Sequence, residues 1–336
     1  MKNHARMVRA TIAFLASVFA TAGLTASPDV DPKLAQEILD IMLKVHGVQP
    51  GFRPVHAKGI VCEGTFTPSK EAAGLSRAPH FSGSAMPVTA RFSDGSSDPN
   101  VPDFSPEAGP TGLAIRFTVP GGNKTDIVTI SHNGFIVGTI PDFVALEKAV
   151  VATDPSKPHP WPVEEFVGSH PLALKFVQES AARPASFGTQ AFFSNNSFVF
   201  VNKDGKKQAG RYKFVPTAGV QQLSAEEGKA KTANYLADEL KERMAKGPVQ
   251  FKLVVQLANP GDATADPSLV WPDDRKTMDI GTVSLTKVVP DSDEASRKLA
   301  FAPTPLPDGI ELSDDPFPAL RSAVYALSVK HRQEQK

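Results

Sequence analysis

Residues 192–215 read FFSNNSFVFVNKDGKKQAGRYKFV and contain two strand-like runs on either side of a tight turn. The runs 192–201 and 211–215 are rich in Phe and Val, residues that favour β-strands. Between them, Asp204-Gly205 is a dipeptide typical of a hairpin turn. Because such a turn joins neighbouring antiparallel strands, this stretch predicts an antiparallel sheet.

The rest of the chain supplies further strands and several helices. Strand-like runs occur at 59–66, 88–92, 113–119, 127–130, 249–257 and 281–288. Asp31 as N-cap, Pro32 at the first helical position and Gly47 at the end predict a first helix. Further helices are predicted over 141–152, 162–182, 225–245 and 319–333. With about eight strands mostly in succession, this order favours an α+β fold built on an antiparallel eight-stranded β-barrel with inserted and C-terminal helices.

Composition excludes several classes of function. The chain has 36 Lys and Arg against 36 Asp and Glu, which argues against a nucleic-acid binder and a polybasic membrane binder. Hydrophobic residues make up 41%, enough to build a core and to exclude wholesale disorder. The single cysteine excludes an intramolecular disulfide and a cysteine-based zinc site.

The N-terminus has the pattern of a secretory signal. Basic residues precede an uncharged stretch over 10–28, and small-residue cleavage sites end at Ala22 and Ala26. We therefore predict a cleavable signal peptide over 1–26, a single mature domain over 27–336 and a periplasmic location without membrane attachment after cleavage. An uncleaved anchor helix is the alternative, although the stretch is barely long enough to cross a hydrocarbon layer of ~30 Å.

One face of the last predicted helix carries an arginine–tyrosine–arginine stripe. Arg321 lies four residues before Tyr325 and Arg332 lies seven after it, so at about 100° per residue the three share a face. A nearby arginine stabilises a tyrosine in its phenolate form, and a phenolate is one of the axial ligands of haem iron. Arg332 would suit a carboxylate such as a haem propionate. From these residues alone, a surface helix with an ordinary cation–aromatic contact remains the alternative.

A second group of candidates flanks the first two strands. Arg53 and His56 lie just before the first strand, and Arg91 and Ser93 end the second. Histidine is the usual general acid or base near neutral pH. Arg91 could hold a carboxylate, and the Ser93 hydroxyl could fix the tautomer of a histidine. Taken singly, each is a weak signal, and a lone histidine more often has a structural or solvent-facing role.

Together these segments resemble the haem catalase family, in the same order along the chain. The matching segments are RPVHAKG (53–59), ARFSDGSSDPNVPD (90–103), GLAIRF (112–117), TDIV (125–128), FVFVNKDGK (198–206), DPSLVWPDD (266–274), IGTVSL (280–285), LAFAPTPLPDGIE (299–311) and RSAVY (321–325). The chain lacks a long N-terminal arm and ends soon after Tyr325. It is therefore most similar to the compact, secreted branch of the family, the catalase-related peroxidases.

The resemblance implies a catalase-like barrel that binds haem b, with Tyr325 as the axial ligand of the iron. The implied cofactor-binding residues are Arg53, Arg91, Arg321, Tyr325 and Arg332. His56 is the implied catalytic base, which moves the proton of a peroxide. The implied supporting residues on its side are Ser93, Val55 and Phe143.

The chain departs from the catalase pattern at three positions. Ile130 stands where an asparagine beside the histidine is expected, Asn196 replaces a histidine, and Ala326 replaces a proline. Asp315, six residues before Arg321, is a candidate to support that arginine. Since Ile130 cannot hydrogen-bond a second peroxide, the resemblance implies a haem-dependent peroxidase of organic hydroperoxides and H2O2, with weak catalase activity and a role against oxidative stress.

The implied partners are a peroxide and an unidentified organic electron donor. Without the arm that interlocks the family's tetramers, a monomer or homodimer is expected. Two alternatives use the same barrel. A non-enzymatic haem carrier or sensor would need a proximal ligand but no base such as His56. A hydroperoxide isomerase would favour a hydroxyl side chain where Val55 stands.

Overall fold

The computed structural model describes residues 30–180, 182–304 and 306–335. The predicted signal peptide over 1–26 lies outside this part. The strands are β1 (Gly59–Pro68), β2 (Met86–Ser93), β3 (Gly112–Thr118), β4 (Lys124–Ile130), β5 (Phe192–Phe193), β6 (Phe198–Val201), β7 (Lys207–Pro216), β8 (Val249–Leu257), β9 (Thr277–Val288) and β10 (Ile310–Leu312). The helices are α1 (Pro32–His46), α2 (Ala72–Leu75), α3 (Ile140–Ala152), α4 (Pro162–Ser169), α5 (Pro171–Glu179), α6 (Ala225–Lys229), α7 (Tyr235–Lys246), α8 (Ser292–Lys298) and α9 (Phe317–Glu334).

Eight of these strands close into an antiparallel barrel. Neighbours follow the order β7, β5, β4, β3, β2, β1, β9, β8, and β8 pairs back with β7. The two remaining strands, β6 and β10, extend the sheet from the N-terminal half of β7. The predicted α+β fold with an eight-stranded antiparallel barrel is therefore confirmed. No helix among the described residues has both the length and the apolar run needed to cross a bilayer.

The prediction of one continuous strand over 192–201 is wrong. Phe192 pairs with Phe214, whereas Phe198 pairs with Gly210, so β5 and β6 follow different halves of β7. Between them, the polar residues 194–197 form a loop in which Asn195 has a φ of 45°. Asparagine tolerates this left-handed conformation better than most residues, and the loop leaves the barrel to reach the helices.

Two predicted helices are also interrupted. The helix over 162–182 breaks between α4 and α5, because Pro171 has no N–H to donate and disfavours a helical conformation at His170. The helix over 225–245 divides into α6 and α7. There, the Leu236 N–H at the start of α7 donates to Asp103 Oδ2 at 2.8 Å, a cap supplied by the distant loop after β2.

The barrel interior is filled by phenylalanine side chains. Those with no measurable exposure include Phe66, Phe92, Phe117, Phe214 and Phe251. Phe66 and Phe117 meet edge to face with 5.1 Å between ring centroids, a favoured arrangement for aromatic pairs. This close-packed core makes the barrel a rigid support for the side chains in its loops.

Helix α1 fixes the position of α9. It begins and ends as predicted, because the Asp31 carboxylate accepts the Lys33 N–H at 2.9 Å and Gly47 closes the helix with a φ of 71°. Its buried residues Ile38 and Leu39 pack in one cluster with α9. Full burial of such a side chain contributes about 1.5–3 kcal/mol, so this contact holds α9 firmly over the barrel.

Candidate cofactor and active site

Two adjoining cavities lie among the barrel loops and helices α1, α3 and α9. Their empty volumes, with the open mouths included, are about 800 Å³ and 1190 Å³. His56, Arg321 and Tyr325 belong to the walls of both. A space of this size and mainly apolar lining suits a large organic cofactor rather than a lone ion.

Tyr325 lies on this wall at the end of a hydrogen-bonded chain. Arg321 Nε donates to the Tyr325 hydroxyl at 3.1 Å, and Arg321 Nη1 donates to Asn196 Oδ1 at 2.6 Å. Asn196 Nδ2 in turn donates to Asp315 Oδ2 at 2.8 Å. Because its amide binds a donor on one side and an acceptor on the other, Asn196 has one defined orientation and directs Arg321 toward the tyrosine.

Helix α9 is not a surface helix. Its residues Ala323 and Val324 are buried, and Tyr325 contributes to the cavity wall. The structure therefore contradicts the alternative in which Arg321 and Tyr325 make only an ordinary surface contact. The structure also connects Asp315 to Arg321, through hydrogen bonds that both make with Asn196.

His56 lies on the walls of both cavities and has a defined tautomer. Its Nδ1 is 2.7 Å from the Asp94 carbonyl oxygen and 3.1 Å from Ser93 Oγ. Because a carbonyl oxygen can only accept, Nδ1 carries the hydrogen and Nε2 keeps its lone pair. Burial, together with the charge of Arg91, lowers the pKa of His56 to about 4. The imidazole is thus neutral near pH 7 and able to accept a proton at Nε2.

The position of the His56 ring depends on Gly112, at the start of β3, because this residue has no side chain. A methyl group on Gly112 would lie 2.9 Å from Ser93 Oγ and 3.1 Å from His56 Nδ1. On the other side, Arg91 Nη2 donates to the His56 carbonyl oxygen at 2.7 Å. The backbone of His56 has a φ of 55°, in the left-handed region that few residues other than glycine adopt. These contacts hold the histidine in place before any ligand arrives.

Three arginines line the first cavity on the side of α8. Arg53 Nη1 donates to the Ser296 carbonyl oxygen at 2.9 Å, and Arg91 Nε donates to Ser296 Oγ at 2.8 Å. Arg332 reaches the Leu299 carbonyl oxygen at 3.5 Å. Carbonyl groups at a helix C-terminus attract cations, which explains why the end of α8 gathers these side chains. Among the described residues, no carboxylate forms an ion pair with any of the three.

These unpaired cations fit an anionic cofactor. Burial lowers the pKa of Arg91 and of Arg332 to about 10, and burial next to those two lowers the pKa of Arg53 well below its usual value. The buried Arg332 Nε has no hydrogen-bond partner. Buried charges normally have partners, so the cluster favours carboxylates as its ligands. With a tyrosine hydroxyl on the same cavity, the donor set fits a ferric haem with its two propionates.

The cofactor-binding, catalytic and supporting residues implied by the resemblance all lie on these walls. Asp315 does not, and reaches Arg321 only through Asn196. The first cavity contains Arg53, Arg91, Ser93 and Arg332, the second contains Phe143, and both contain Val55, His56, Arg321 and Tyr325. Phe143 also packs edge to face against Phe317, with 6.4 Å between ring centroids. Ile130, which replaces the expected asparagine, is part of both walls.

Several contributors were not predicted. The Asp94 and Leu299 carbonyl groups leave no signal in a sequence, because every residue has one. Gly112 could have been found only through its pairing with Ser93 in the β2–β3 register. Glu147 was also missed. It lies one turn after Phe143 on α3 and is part of the second wall.

Comparisons with known proteins identify the family of the chain. The family model described as Catalase matches residues 49–335. The chain is 36% identical over 299 residues to a catalase-related peroxidase of Mycolicibacterium paratuberculosis, covering 88% of this chain and 94% of that one. It is 33% identical over 326 residues to a catalase-related peroxidase of Synechococcus elongatus, covering 95% and 94%.

The structure resembles a fungal catalase with a TM-score of 0.75 at 20% identity, which bears on the fold alone. The match covers 88% of this chain and 62% of the fungal one. The family match and the two peroxidase relatives each extend over most of the chain. The protein therefore belongs to the catalase family.

Proposed function

We propose that the chain is a haem-dependent peroxidase that reduces organic hydroperoxides and H2O2 and has weak catalase activity. The observation that carries this proposal is that a neutral histidine, His56, and a tyrosine held by an arginine line the same cavities. The chain is similar to catalase-related peroxidases over almost its whole length, and this similarity supports a peroxidase-type oxidoreductase.

The cofactor of this proposal is haem b, held by residues of both cavities. Tyr325 would bind the iron, and Arg53, Arg91 and Arg332 would bind the propionates. When bound there, haem would supply the redox chemistry that cleaves the O–O bond of a peroxide. The link from Asp315 through Asn196 keeps Arg321 hydrogen-bonded to the tyrosine hydroxyl.

The proton movements belong to His56. Its Nε2 accepts the proton of the hydroperoxide O–H and returns it to the oxygen that leaves as water or an alcohol. The hydrogen bond from Nδ1 to the Asp94 carbonyl keeps the ring in the tautomer that this transfer needs. The pKa of about 4 keeps the base unprotonated at neutral pH.

Weak catalase activity follows from the wall around His56. Catalase turnover requires a second peroxide molecule to be held beside the histidine. Ile130 and Val55 line that position with hydrocarbon and offer no hydrogen bond. Reduction by an organic electron donor would then account for most turnovers.

The proposal also includes the cellular location and the oligomeric state of the protein. The basic residues and small-residue sites at the start of the sequence support a cleaved signal peptide over 1–26 and a periplasmic location. In that compartment a peroxidase would act against oxidative stress. We propose a monomer or homodimer, free of nucleic acid and of the membrane after cleavage.

The test is an ultraviolet–visible spectrum of the purified chain, expressed with haem supplied, before and after one equivalent of cumene hydroperoxide. We expect a high-spin ferric spectrum that shifts on addition and returns when a reducing dye is added. A haem spectrum that does not respond to peroxide would favour the non-enzymatic carrier or sensor. Oxygen release from H2O2 on the same sample measures the catalase share.

A matched pair of tyrosine variants tests the iron ligand. Tyr325→Phe should abolish stoichiometric haem binding, whereas Tyr212→Phe removes a hydroxyl from the buried barrel wall and should leave it intact. Normal haem content and an unchanged spectrum in Tyr325→Phe would contradict the assignment.

A further inference from the structure

The second cavity extends into a region that the arginine cluster does not reach. Here the walls are mainly hydrocarbon and aromatic, contributed by Ile38, Met42, Phe135, Phe143 and Leu146. Glu147 is the one carboxyl group among the described wall residues of this cavity. We call this region the Glu147 chamber. It is continuous with the space beside His56 and Tyr325.

Glu147 has an unusual environment for a carboxyl group. Its Oε2 is removed from solvent and forms no hydrogen bond with the described residues. The neighbouring Lys148 is paired elsewhere, with Glu37 at 2.9 Å. Burial alone raises the pKa of Glu147 to about 7, and no nearby cation opposes that shift.

Such a group is costly to the fold unless something binds it. A buried carboxyl oxygen without a partner costs free energy on the scale of a lost hydrogen bond or more. The three arginines proposed to bind the haem propionates line the first cavity and not the second, in which Glu147 lies. The chamber therefore offers a hydrogen-bond acceptor and aromatic rings on the wall of one cavity.

We propose that the Glu147 chamber binds the electron donor, a phenol or aromatic amine whose O–H or N–H donates to the Glu147 carboxyl group. This inference rests on the proposed peroxidase function and names the donor class of the same site. The ring of the donor packs against Phe135 and Phe143, where flat aromatic groups gain contact area. The hydrogen bond satisfies the carboxyl group and orients the donor toward the space beside His56.

The chemistry balances without any further reactant. Two phenols each lose one electron and one proton and leave as phenoxyl radicals. The two electrons and two protons convert ROOH into ROH and water. Glu147 is suited to take up the phenol proton, because it exchanges protons near neutral pH.

The test measures binding separately from turnover. Isothermal titration calorimetry of the haem-loaded protein compares 4-methylphenol with 4-methylanisole, which has the same ring but no O–H to donate. Glu147→Leu should weaken binding of the phenol about tenfold or more and leave the anisole unchanged or tighter. Glu147→Gln, which keeps an acceptor oxygen, should weaken it less.

The matched control is Glu165→Gln, which removes an exposed carboxylate from α4. It should change neither ligand. In steady-state turnover, Glu147→Leu should raise the KM for 4-methylphenol and leave the KM for cumene hydroperoxide unchanged. An unchanged affinity for the phenol in Glu147→Leu, or an equal loss for both ligands, would overturn the proposal.

The calorimetry also separates this inference from the proposed function. If the haem-loaded protein did not consume hydroperoxide, the peroxidase assignment would fail. The difference between phenol and anisole would still decide whether Glu147 binds a hydrogen-bond donor, because that measurement needs no peroxide.

Discussion

The barrel interior and the cavity beside it are both buried, but they are built on opposite principles. Inside the barrel, Phe66 packs against Phe117, and Phe251 packs against Phe92 and Phe192. In the cavity, Arg91 and Arg332 are 4% and 5% exposed, carry positive charge and have no carboxylate partner among the described residues. The first region completes its interactions within the chain, whereas the second is incomplete without a ligand.

This difference separates the parts of the chain that stabilise the fold from the parts that serve function. Burial of hydrocarbon stabilises the barrel by about 25 cal/mol per Å². Burial of like charges costs free energy, as the lowered pKa values of the three arginines indicate. A sequence tolerates such a cost where a bound anionic group offsets it.

The largest expected effect separates two histidines, His56 on the cavity wall and His80 in the barrel core. His56→Ala should slow the reaction with hydroperoxide by about 10²–10⁴-fold, the usual contribution of a general acid or base, while haem remains bound. His80 lies in the barrel core against Phe81 and Phe117, so His80→Phe should leave that rate unchanged. Stopped-flow absorbance of the haem-loaded proteins measures both. A near-normal rate in His56→Ala would remove its role as base.

The barrel side of the comparison is tested by Phe251→Ala. Truncating a fully buried phenylalanine should lower the free energy of unfolding by about 3–5 kcal/mol, because it leaves a cavity in a close-packed core. Urea denaturation of the haem-free protein gives this value. The haem affinity of the folded fraction should be unchanged, and a large loss of affinity would mean that barrel and cavity are not independent.

The pH dependence of the peroxide reaction follows from the pKa of His56. Because burial lowers that pKa to about 4, the imidazole is a free base from pH 5 to neutrality and the rate should be flat there. Below pH 4 the ring becomes protonated and the rate should fall about tenfold per pH unit. A midpoint near the ordinary value of about 6.5 would show that His56 is not desolvated as described.

Gly112→Ala tests whether the peroxide reaction depends on the position of the His56 ring. The added methyl group would press on Ser93 Oγ and the His56 ring, so the ring must shift. We expect the peroxide reaction to slow about tenfold, since small displacements of a catalytic group cost this much or more, with haem content unchanged. Gly74→Ala, at a position where a methyl group meets nothing, is the matched control. Equal rates in both variants would contradict the positioning role.

The smallest expected effect concerns the arginine cluster. Arg332→Met should raise the unfolding free energy of the haem-free protein by about 1 kcal/mol, because it removes a buried unpaired charge. The same change should weaken haem binding about tenfold. Arg243→Met, which removes an arginine paired with Glu239 on α7, should not change haem binding. A less stable haem-free Arg332→Met protein would contradict the account of the cluster.

The sequence predicted those features that depend on local spacing. Arg321 and Tyr325 are one helical turn apart, so their contact follows from the helix period. Asp31 and Gly47 bound α1 through chemistry contained in a few residues. For the same reason, the hairpin turn at Asp204-Gly205 was visible before the fold was known.

The missed features depend on partners that are remote in sequence. The break before α7 rests on Asp103, more than a hundred residues earlier. The Asp94 carbonyl group sets the tautomer of His56. Carbonyl groups at the end of α8 hold the arginine cluster, and helix α8 itself was not predicted. Glu147 was overlooked because a glutamate on a helix is normally solvated, and only the packing of α3 buries it.

The most direct test of the central claim is a titration of the haem-free protein with ferric haem, followed by thermal unfolding. If the arginine cluster and Tyr325 form a cofactor site, absorbance should saturate at one equivalent and the unfolding temperature should rise, because a ligand that binds only the folded state stabilises it. Absorbance that continues to increase beyond one equivalent, with no change in the unfolding temperature, would contradict the account.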